Sequence, residues 1–446
     1  MNLEMSRRSV LAAMSAPLFA ADPPKPNFVF ILVDDLRYNA LGCLGHPFVK
    51  TPNIDRIAKE GAIFSNAFCT TPLCSPSRAS FLTGRYARSH RVLGNANSNE
   101  ISHKLITWPR LLHDAGYETG YVGKFHMGND DSPRPGFDRW VSFRGQGKYD
   151  DPALNIDGER IEIPGYITDI LTGHAAEFLV KKRTKPFALY LSHKAVHGPF
   201  TPAARHKDLF VKNEIARTAN AKDNLDGKPA MTRKIDGKDQ VIGLGSNDEL
   251  IRNQLRCLTS IDDGIGAVLK TLESTGQLDN TVVLFTSDNG YFWGEHRLGD
   301  KRWAYEESLR IPMLMRYPKL IRPGTTVKQI VMNVDMAPTM LDLAGLKVPG
   351  DVHGQSIVPV LKGTAKNWRT SFLSEYFLEP NAPRVPNWEA VRNEEWKYVH
   401  YPELEGADEL YNLTKDPGEL KNMIHDAPNI LPGMKKDLEK YNQTVK

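Results

Sequence analysis

The stretch Asn27-Phe28-Val29-Phe30-Ile31-Leu32-Val33, closed by Asp34-Asp35, decides the fold. It is a continuous apolar run without the alternation of a half-solvated strand. Such a run predicts a strand buried on both faces, as in a parallel sheet. Pro186-Phe187-Ala188-Leu189-Tyr190-Leu191 and Thr281-Val282-Val283-Leu284-Phe285-Thr286 repeat the pattern, and another strand is expected to end near Val122. Between them lie helix signals. Thr51-Pro52-Asn53 opens an amphipathic helix that stops near Gly61. Thr107 to Ala115 forms a short helix closed by Gly116. Ser246 with Glu249 resembles a capping box for a long helix reaching Thr275 and Gly276. Alternating strands and helices predict an α/β domain: a large central, mostly parallel sheet flanked by helices. Polar residues follow the strand ends, which is the edge where open α/β sheets bind ligands.

The chain has 446 residues, 41% of them hydrophobic, which suffices for one large core and a smaller second domain. Lys and Arg number 57 against 53 Asp and Glu, a net charge of +4. The basic residues read as scattered, so a nucleic-acid partner is excluded and an anionic ligand would need a local pocket. Residues 1–21 read as an export signal. Arg7-Arg8 precede the short apolar stretch Val10 to Phe19, and Ala20-Ala21 offer a cleavage point. Twin arginines match the Tat route, with an ordinary Sec signal as the alternative. The expected location is therefore periplasmic or secreted. No apolar run reaches membrane-spanning length, so the mature chain should have no span. Residues 22–365 are expected to form the main domain, with a long surface insertion between about 206 and 247. Residues 366–446 should form a small C-terminal α+β subdomain.

The chemistry is concentrated in Cys74-Ser75-Pro76-Ser77-Arg78-Ala79-Ser80-Phe81-Leu82-Thr83-Gly84-Arg85. Ser75 can cap a helix and Pro76 suits its first turn, which places Cys74 at a helix N-terminus that favours anions. Arg78, one turn on, adds a fixed positive charge there, so a free Cys74 reads as a candidate activated thiolate. Asp34, Asp35, Asp288 and Asn289 follow buried strands and make a hard oxygen donor set suited to Ca²⁺ or Mg²⁺. If Cys74 is modified, Cys43, Cys69 and Cys257 remain. That odd number argues against a disulfide framework, and sequence alone cannot pair a single bridge.

The Cys74 run resembles the signature of the type I, formylglycine-dependent sulfatases of the alkaline phosphatase superfamily. The resemblance extends to Gly123-Lys124-Phe125-His126, to Ala195-Val196-His197-Gly198-Pro199 and to Gly294-Glu295-His296-Arg297-Leu298-Gly299-Asp300-Lys301. It continues in Glu409 to Glu419 and so covers nearly the whole mature chain. It implies an alkaline-phosphatase-like fold and hydrolysis of sulfate esters on a sulfated oligo- or polysaccharide. It implies a formylglycine made from Cys74 by a formylglycine-generating enzyme. It also implies a cation, usually Ca²⁺, held by Asp34, Asp35, Asp288, Asn289 and residue 74.

In that picture the hydrated aldehyde attacks sulfur, Asp288 takes its proton and sulfate passes to residue 74. Arg78, Lys124 and Lys301 stabilise the charge. His197 protonates the leaving oxygen and His126 helps release sulfate. His193, His296, Arg297 and Arg302 are candidate substrate contacts. The stretch Lys148 to Asp169 and the run Phe285 to Tyr291 are similar to N-acetylglucosamine-6-sulfatases, although His126 departs from members whose block lacks His. The alternative is a phosphonate monoester or phosphodiester hydrolase of the same superfamily.

Overall fold

The computed structural model describes residues 25–96, 98–238 and 245–446; the predicted export signal lies outside them. The decisive stretch is β1 (Asn27–Val33), buried throughout. Its side chains alternate between two cores. Val29, Ile31 and Val33 join one, and Phe28, Phe30 and Leu32 join the other. The apolar run is therefore continuous because both faces of the sheet are covered by helices.

The chain continues through α1 (Pro52–Lys59), β2 (Ala62–Phe64), α2 (Cys74–Thr83), α3 (Trp108–Asp114), β3 (Glu118–Gly123) and β4 (Arg139–Ser142). A hairpin, β5 (Ala153–Ile156) and β6 (Glu159–Glu162), leads to α4 (Ile167–Val180), β7 (Phe187–Ser192), the long α5 (Asp248–Ser274) and β8 (Thr281–Ser287). Then come β9 (Met313–Arg316), β10 (Thr325–Val327) and α6 (Met336–Leu343). The ten strands form one sheet in the order β10-β2-β9-β8-β1-β7-β3-β4-β5-β6. Strands β8, β1, β7, β3 and β4 are mutually parallel, as expected, while β9, β5 and β6 run antiparallel to their neighbours. The sheet is thus mixed, with a parallel centre.

Helices α4 and α5 cover one face through Leu171, Phe178, Leu258, Ile261 and Leu272. Helices α2, α3 and α6 cover the other through Phe81, Trp108, Leu112 and Met340. A second sheet, β11 (Ser371–Tyr376), β12 (Trp388–Asn393), β13 (Trp396–His400) and β14 (Glu409–Asn412), is antiparallel throughout. Helix α7 (Leu431–Thr444) packs Met434 and Leu438 into the same core as Tyr398 and Val391. This agrees with the α+β expectation.

Two helix starts differ from the sequence reading. Helix α2 begins at Cys74 with Leu73 in the cap position, and the Ser75 hydroxyl donates to the His126 carbonyl instead. Helix α5 is capped by Asn247, whose side chain accepts from the Leu250 N–H at 2.8 Å, while Ser246 donates to the Phe292 carbonyl. In both cases the predicted serine is drawn to a long-range acceptor.

The segment from 206 to 247 is also more than a surface insertion. Asn220, Asp223, Lys228, Ala230 and Met231 are buried. The Lys228 ammonium donates to Tyr411 Oη at 3.0 Å and to the Glu419 carbonyl at 2.6 Å. Polar bonds bury these few residues, while most of the segment's described residues lie at or near the surface as expected.

Gly123 ends β3 with φ +119°, and a Cβ there would lie 1.8 Å from the Ser192 carbonyl oxygen. Gly123→Ala is expected to lower the unfolding free energy by roughly 2–4 kcal/mol. Denaturant titration measures this, and an unmoved midpoint would contradict the close approach.

Candidate active site

Adjacent parallel strands deliver the chemistry to one edge. Strand β1 pairs with β8 so that Val33 faces Ser287, and the next residues of each chain are Asp34-Asp35 and Asp288-Asn289. On the other side β1 pairs with β7, and β7 with β3, where Ser192 faces Gly123. Lys124 and His126 therefore leave β3 beside His193 to His197 leaving β7. Although two positions apart, these two do not share a strand face, because Gly123 and then His126, with φ +50°, turn the backbone out of the strand. Asp35 is also left-handed, with φ +59°, a conformation that Asp tolerates. Its N–H donates to Asp288 Oδ1 at 3.1 Å. Helix α2 points its N-terminus at this edge and brings Cys74 to it.

Cys74 is fully buried. Its Sγ lies 3.5 Å from Asp34 Oδ1, 3.4 Å from Lys301 Nζ and 4.0 Å from Lys124 Nζ. Lys124 bonds Asp34, and Lys301 bonds Asp35 Oδ1 at 2.5 Å. Arg78 reaches Asp288 Oδ2 through Nε at 2.9 Å and Nη2 at 2.8 Å, and Asp34 Oδ1 at 3.5 Å. Three buried carboxylates thus face three buried cations.

Burial alone would raise the Asp34 carboxyl, but Lys124, His197 and Arg78 hold it well below the usual range. For Asp288 the balance reverses: burial and the Asp34 charge push it up despite Arg78. Burial also pushes the Cys74 thiol up to about 12, more than Lys124 and Lys301 pull it down. This corrects the expectation of an activated thiolate. An unmodified Cys74 stays protonated near neutrality, because the helix terminus and two ammoniums do not offset complete desolvation.

The donor set fits a hard divalent cation. Oxygens of Asp34, Asp35 and Asp288 lie within 4.8 Å of one another. Asn289 Nδ2 donates to Asp35 Oδ1 at 2.8 Å, which leaves Asn289 Oδ1 buried without a partner. Three crowded carboxylates and an orphaned amide oxygen are what an oxygen-ligated ion satisfies.

His197 joins the cluster. Its Nε2 is 3.7 Å from Asp35 Oδ2, and its Nδ1 lies 3.1 Å from the Gly198 carbonyl, an acceptor that requires the proton on Nδ1. Burial and then Lys124 push this imidazole down to about 4. His126 is buried with Nδ1 unpartnered, and burial, Lys124 and Arg78 hold it well below its ordinary value.

The structure brings the candidate substrate contacts less closely together. His193 is wholly buried, with neither ring nitrogen partnered, and the charge it feels is that of Asp169 on α4. His296 is wholly buried, with Nδ1 2.6 Å from Asp223 Oδ2 and its ring 4.2 Å from that of Tyr305. Arg302 is mostly buried: it bonds Asp300 and holds Glu379 Oε2 at 3.0 Å. Arg297 lies beside His296 with φ +60°.

Several participants escaped the sequence reading. Ser192 Oγ accepts from Arg78 Nη1 at 2.7 Å. Lys194, adjacent to the singled-out His193, is buried with its ammonium on the Gly198 carbonyl at 2.9 Å. Glu379, from the second sheet's side, accepts the Asn95 N–H at 2.9 Å, and Asn95 Oδ1 in turn accepts the Ser75 N–H at 3.0 Å. Adjacency to a strand end could have flagged Ser192 and Lys194, but no local pattern marks Glu379.

Residues 26–346 match the family model described as Sulfatase, and residues 294–444 match that of the N-sulphoglucosamine sulphohydrolase C-terminal region. The chain belongs to the sulfatase family and is a sulfuric ester hydrolase with the alkaline-phosphatase-like fold. It is 33% identical to the N-acetylglucosamine-6-O-sulfatase of Bacteroides thetaiotaomicron, over 94% of this chain and 86% of that one. It is 30% identical to the N-acetylglucosamine-6-sulfatase of Homo sapiens, over 91% and 82%. A solved structure of a protein with its substrate D-glucosamine-2-N,6-O-disulfate superposes with a TM-score of 0.86 at 32% identity, covering 94% of this chain and 98% of that one. The phosphonate monoester hydrolase of Agrobacterium radiobacter superposes with a TM-score of 0.76 at 23% identity over 95% and 94%, a likeness of fold alone.

Adding Ca²⁺ to chelator-treated protein is expected to raise its melting temperature. A ligand at a hundred times its Kd adds about 2.7 kcal/mol of stability. Asn289→Ala should weaken the ion roughly tenfold or more. A Ca²⁺ titration followed by melting reads both, and a variant that titrates like the parent would remove Asn289 from the donor set.

Proposed function

We propose that this chain removes a sulfate ester from a sulfated carbohydrate, with position 74 as formylglycine and a divalent cation at Asp34, Asp35, Asp288 and Asn289. The observation that carries the reading is Cys74 Sγ within 3.4–4.0 Å of Lys301, Asp34 and Lys124. As a thiol held protonated by burial, this group makes a poor nucleophile, and conversion to an aldehyde hydrate would supply a hydroxyl that attacks sulfur and a second that allows its release. A bound Ca²⁺ supplies Lewis-acid stabilisation of the negative charge that gathers on the sulfuryl oxygens. The expected export to the periplasm or exterior belongs to this proposal and suits a polymeric substrate.

The chain's own residues take the remaining roles. Lys124 and Lys301 hold the sulfuryl oxygens from two sides, and Arg78 fixes Asp288 in place. Asp288, held by Arg78 beside residue 74, accepts the proton of the attacking hydroxyl. His197 donates through Nε2 to the leaving sugar oxygen. Its imidazole is pushed down to about 4 by burial and Lys124, and the negative charge of an ester placed against it would act in the opposite direction. His126, with Nδ1 unengaged, takes the proton of the second hydroxyl when sulfate departs. The sulfate ester reading is preferred to phosphonate hydrolysis because relatives at 33% and 30% identity are sulfatases.

Three measurements test this. The tryptic peptide Glu60 to Arg78 holds both Cys69 and Cys74. After alkylation of protein from a host with the maturation enzyme, Cys69 should carry the alkyl group while position 74 has lost sulfur and gained a carbonyl. Full alkylation at both sites would defeat the proposed nucleophile. Cys74→Ser should keep its fold and Ca²⁺-induced stabilisation while losing at least ~10³-fold in turnover. The substrate proposed is a 6-O-sulfated N-acetylglucosamine unit, as the names of its 33% and 30% identical relatives suggest. Sulfate release from that monosaccharide should exceed release from its 3-O-sulfated isomer and hydrolysis of an aryl phosphonate. Preference for the phosphonate would favour the alternative.

A further inference from the structure

The sheet has a second end. Strands β1, β7 and β8 begin at Asn27, Phe187 and Thr281, on the side away from Cys74. Seven residues of β1 separate the two ends, about 20 Å at ~3.3 Å per residue. Beside the strand starts lies an open groove of about 820 Å³ lined by Lys25, Lys181, Lys182, Arg183 and Lys185, with no Asp or Glu in its lining. Basic residues read as scattered over the whole chain, but Lys181, Lys182, Arg183 and Lys185 form one local run, and the fold brings Lys25 beside it. Among the described residues, the ammoniums of Lys25, Lys181, Lys182 and Lys185 have no carboxylate partner.

A helix-capping role does not absorb this charge. Helices α4 and α5 end at Val180 and Ser274, beside the groove. Their two C-termini together carry roughly one negative charge, and four unpaired ammoniums outweigh that. Arg183 adds an independent sign of a missing ligand. Its side chain is 7% exposed, with Nε 2.8 Å and Nη2 3.1 Å from the Glu118 carboxylate. It stacks 4.6 Å from the Phe178 ring and 5.0 Å from the Phe187 ring. Its Nη1 is buried with no partner. An unmet guanidinium N–H beside clustered ammoniums is a place for an oxyanion.

We infer that this groove is an anchoring site for an anionic stretch of sulfated polysaccharide, separate from the catalytic pocket. The inference rests on the sulfated-carbohydrate reading. One sulfate group cannot occupy both ends of β1, so the groove holds a remote part of the polymer. It thereby raises the local concentration of ester groups at Cys74. It should therefore act on polymers and leave small substrates indifferent.

The test uses the full chain with Lys181→Ser, Lys182→Ser and Lys185→Ser combined. All three lysines are exposed, so the fold should be unaffected, which melting checks. A control removes equal charge from the exposed Lys435, Lys436 and Lys440 of α7. On immobilised heparin the groove variant should elute at clearly lower salt than both parent and control. Its KM for a sulfated polymer should rise roughly tenfold at low salt, a difference that shrinks at 0.5 M salt, with kcat and KM for 6-O-sulfated N-acetylglucosamine unchanged. Equal elution of variant and parent, or an equal shift in the control, overturns the proposal. So does selective loss of binding to phosphatidylserine vesicles with heparin retention intact, which would make the groove a membrane contact. If the parent protein turns over no sulfated sugar, the proposed function fails, and heparin elution still decides the groove.

Discussion

Three carboxylates buried side by side are the constraint around which this molecule is arranged. Asp34, Asp35 and Asp288 are each at most 2% exposed. Isolated buried charges of one sign are prohibitively costly, so each needs a counter-charge held in good geometry. Arg78 comes from helix α2, Lys124 from the end of β3 and Lys301 from the loop beyond β8. The site can exist only when all three elements are in register, which makes the polar cluster a specification of the fold as well as its product. It also explains why the edge beyond the parallel strands is so thoroughly hydrogen-bonded. The Asp34 N–H donates to the Ala195 carbonyl at 3.0 Å, and the Asp288 N–H donates to the Val33 carbonyl at 3.1 Å.

The charge balance has a chemical meaning. Three acids against three bases leave the pocket near neutral, and a divalent ion added to the oxygen donors makes it positive. A pocket that turns positive only when loaded is suited to an anionic ester, and the low-dielectric surroundings magnify that preference. The same burial that makes this field effective suppresses the Cys74 thiolate. Electrostatic power and thiol reactivity are therefore in conflict at this position, and the proposed conversion of the thiol to a neutral aldehyde would remove the conflict.

The strands at the centre of the sheet were legible because both faces are apolar, a pattern confined to a few consecutive residues. Strand ends were legible for the same reason: Asp34-Asp35 and Asp288-Asn289 stand where apolar runs stop. The helix caps at Ser75 and Ser246 were misread because a hydroxyl chooses between a local N–H and a distant carbonyl, and sequence displays only the first. The 206–247 segment runs largely at the surface, as expected, but its buried residues were not legible. Asn220, Asp223 and Lys228 find partners on the loop after β8 and near Tyr411 and Glu419, pairings of long sequence separation that leave no periodic trace.

Those pairings show why the second sheet belongs to the site's architecture. Lys301 must stay within 2.5 Å of Asp35, yet it sits on a loop with little regular structure. The residues that follow it are fastened to the second sheet. Tyr305 Oη donates to Glu409 at 3.0 Å, and Tyr411 and Tyr401 donate to the same carboxylate at 2.8 and 3.2 Å. Glu306 is paired with Arg392 at 3.2 Å and Lys397 at 3.3 Å. Removing one member of such a buried pair costs on the order of 3–5 kcal/mol, because the survivor keeps its charge and loses its partner. That energy resists displacement of the 301–307 loop. A side chain four residues from Lys301 is thus held by bonds to residues about a hundred positions further along the chain. The antiparallel sheet serves catalysis without contributing a reacting group, because it fixes the ammonium that the sulfuryl oxygens would meet.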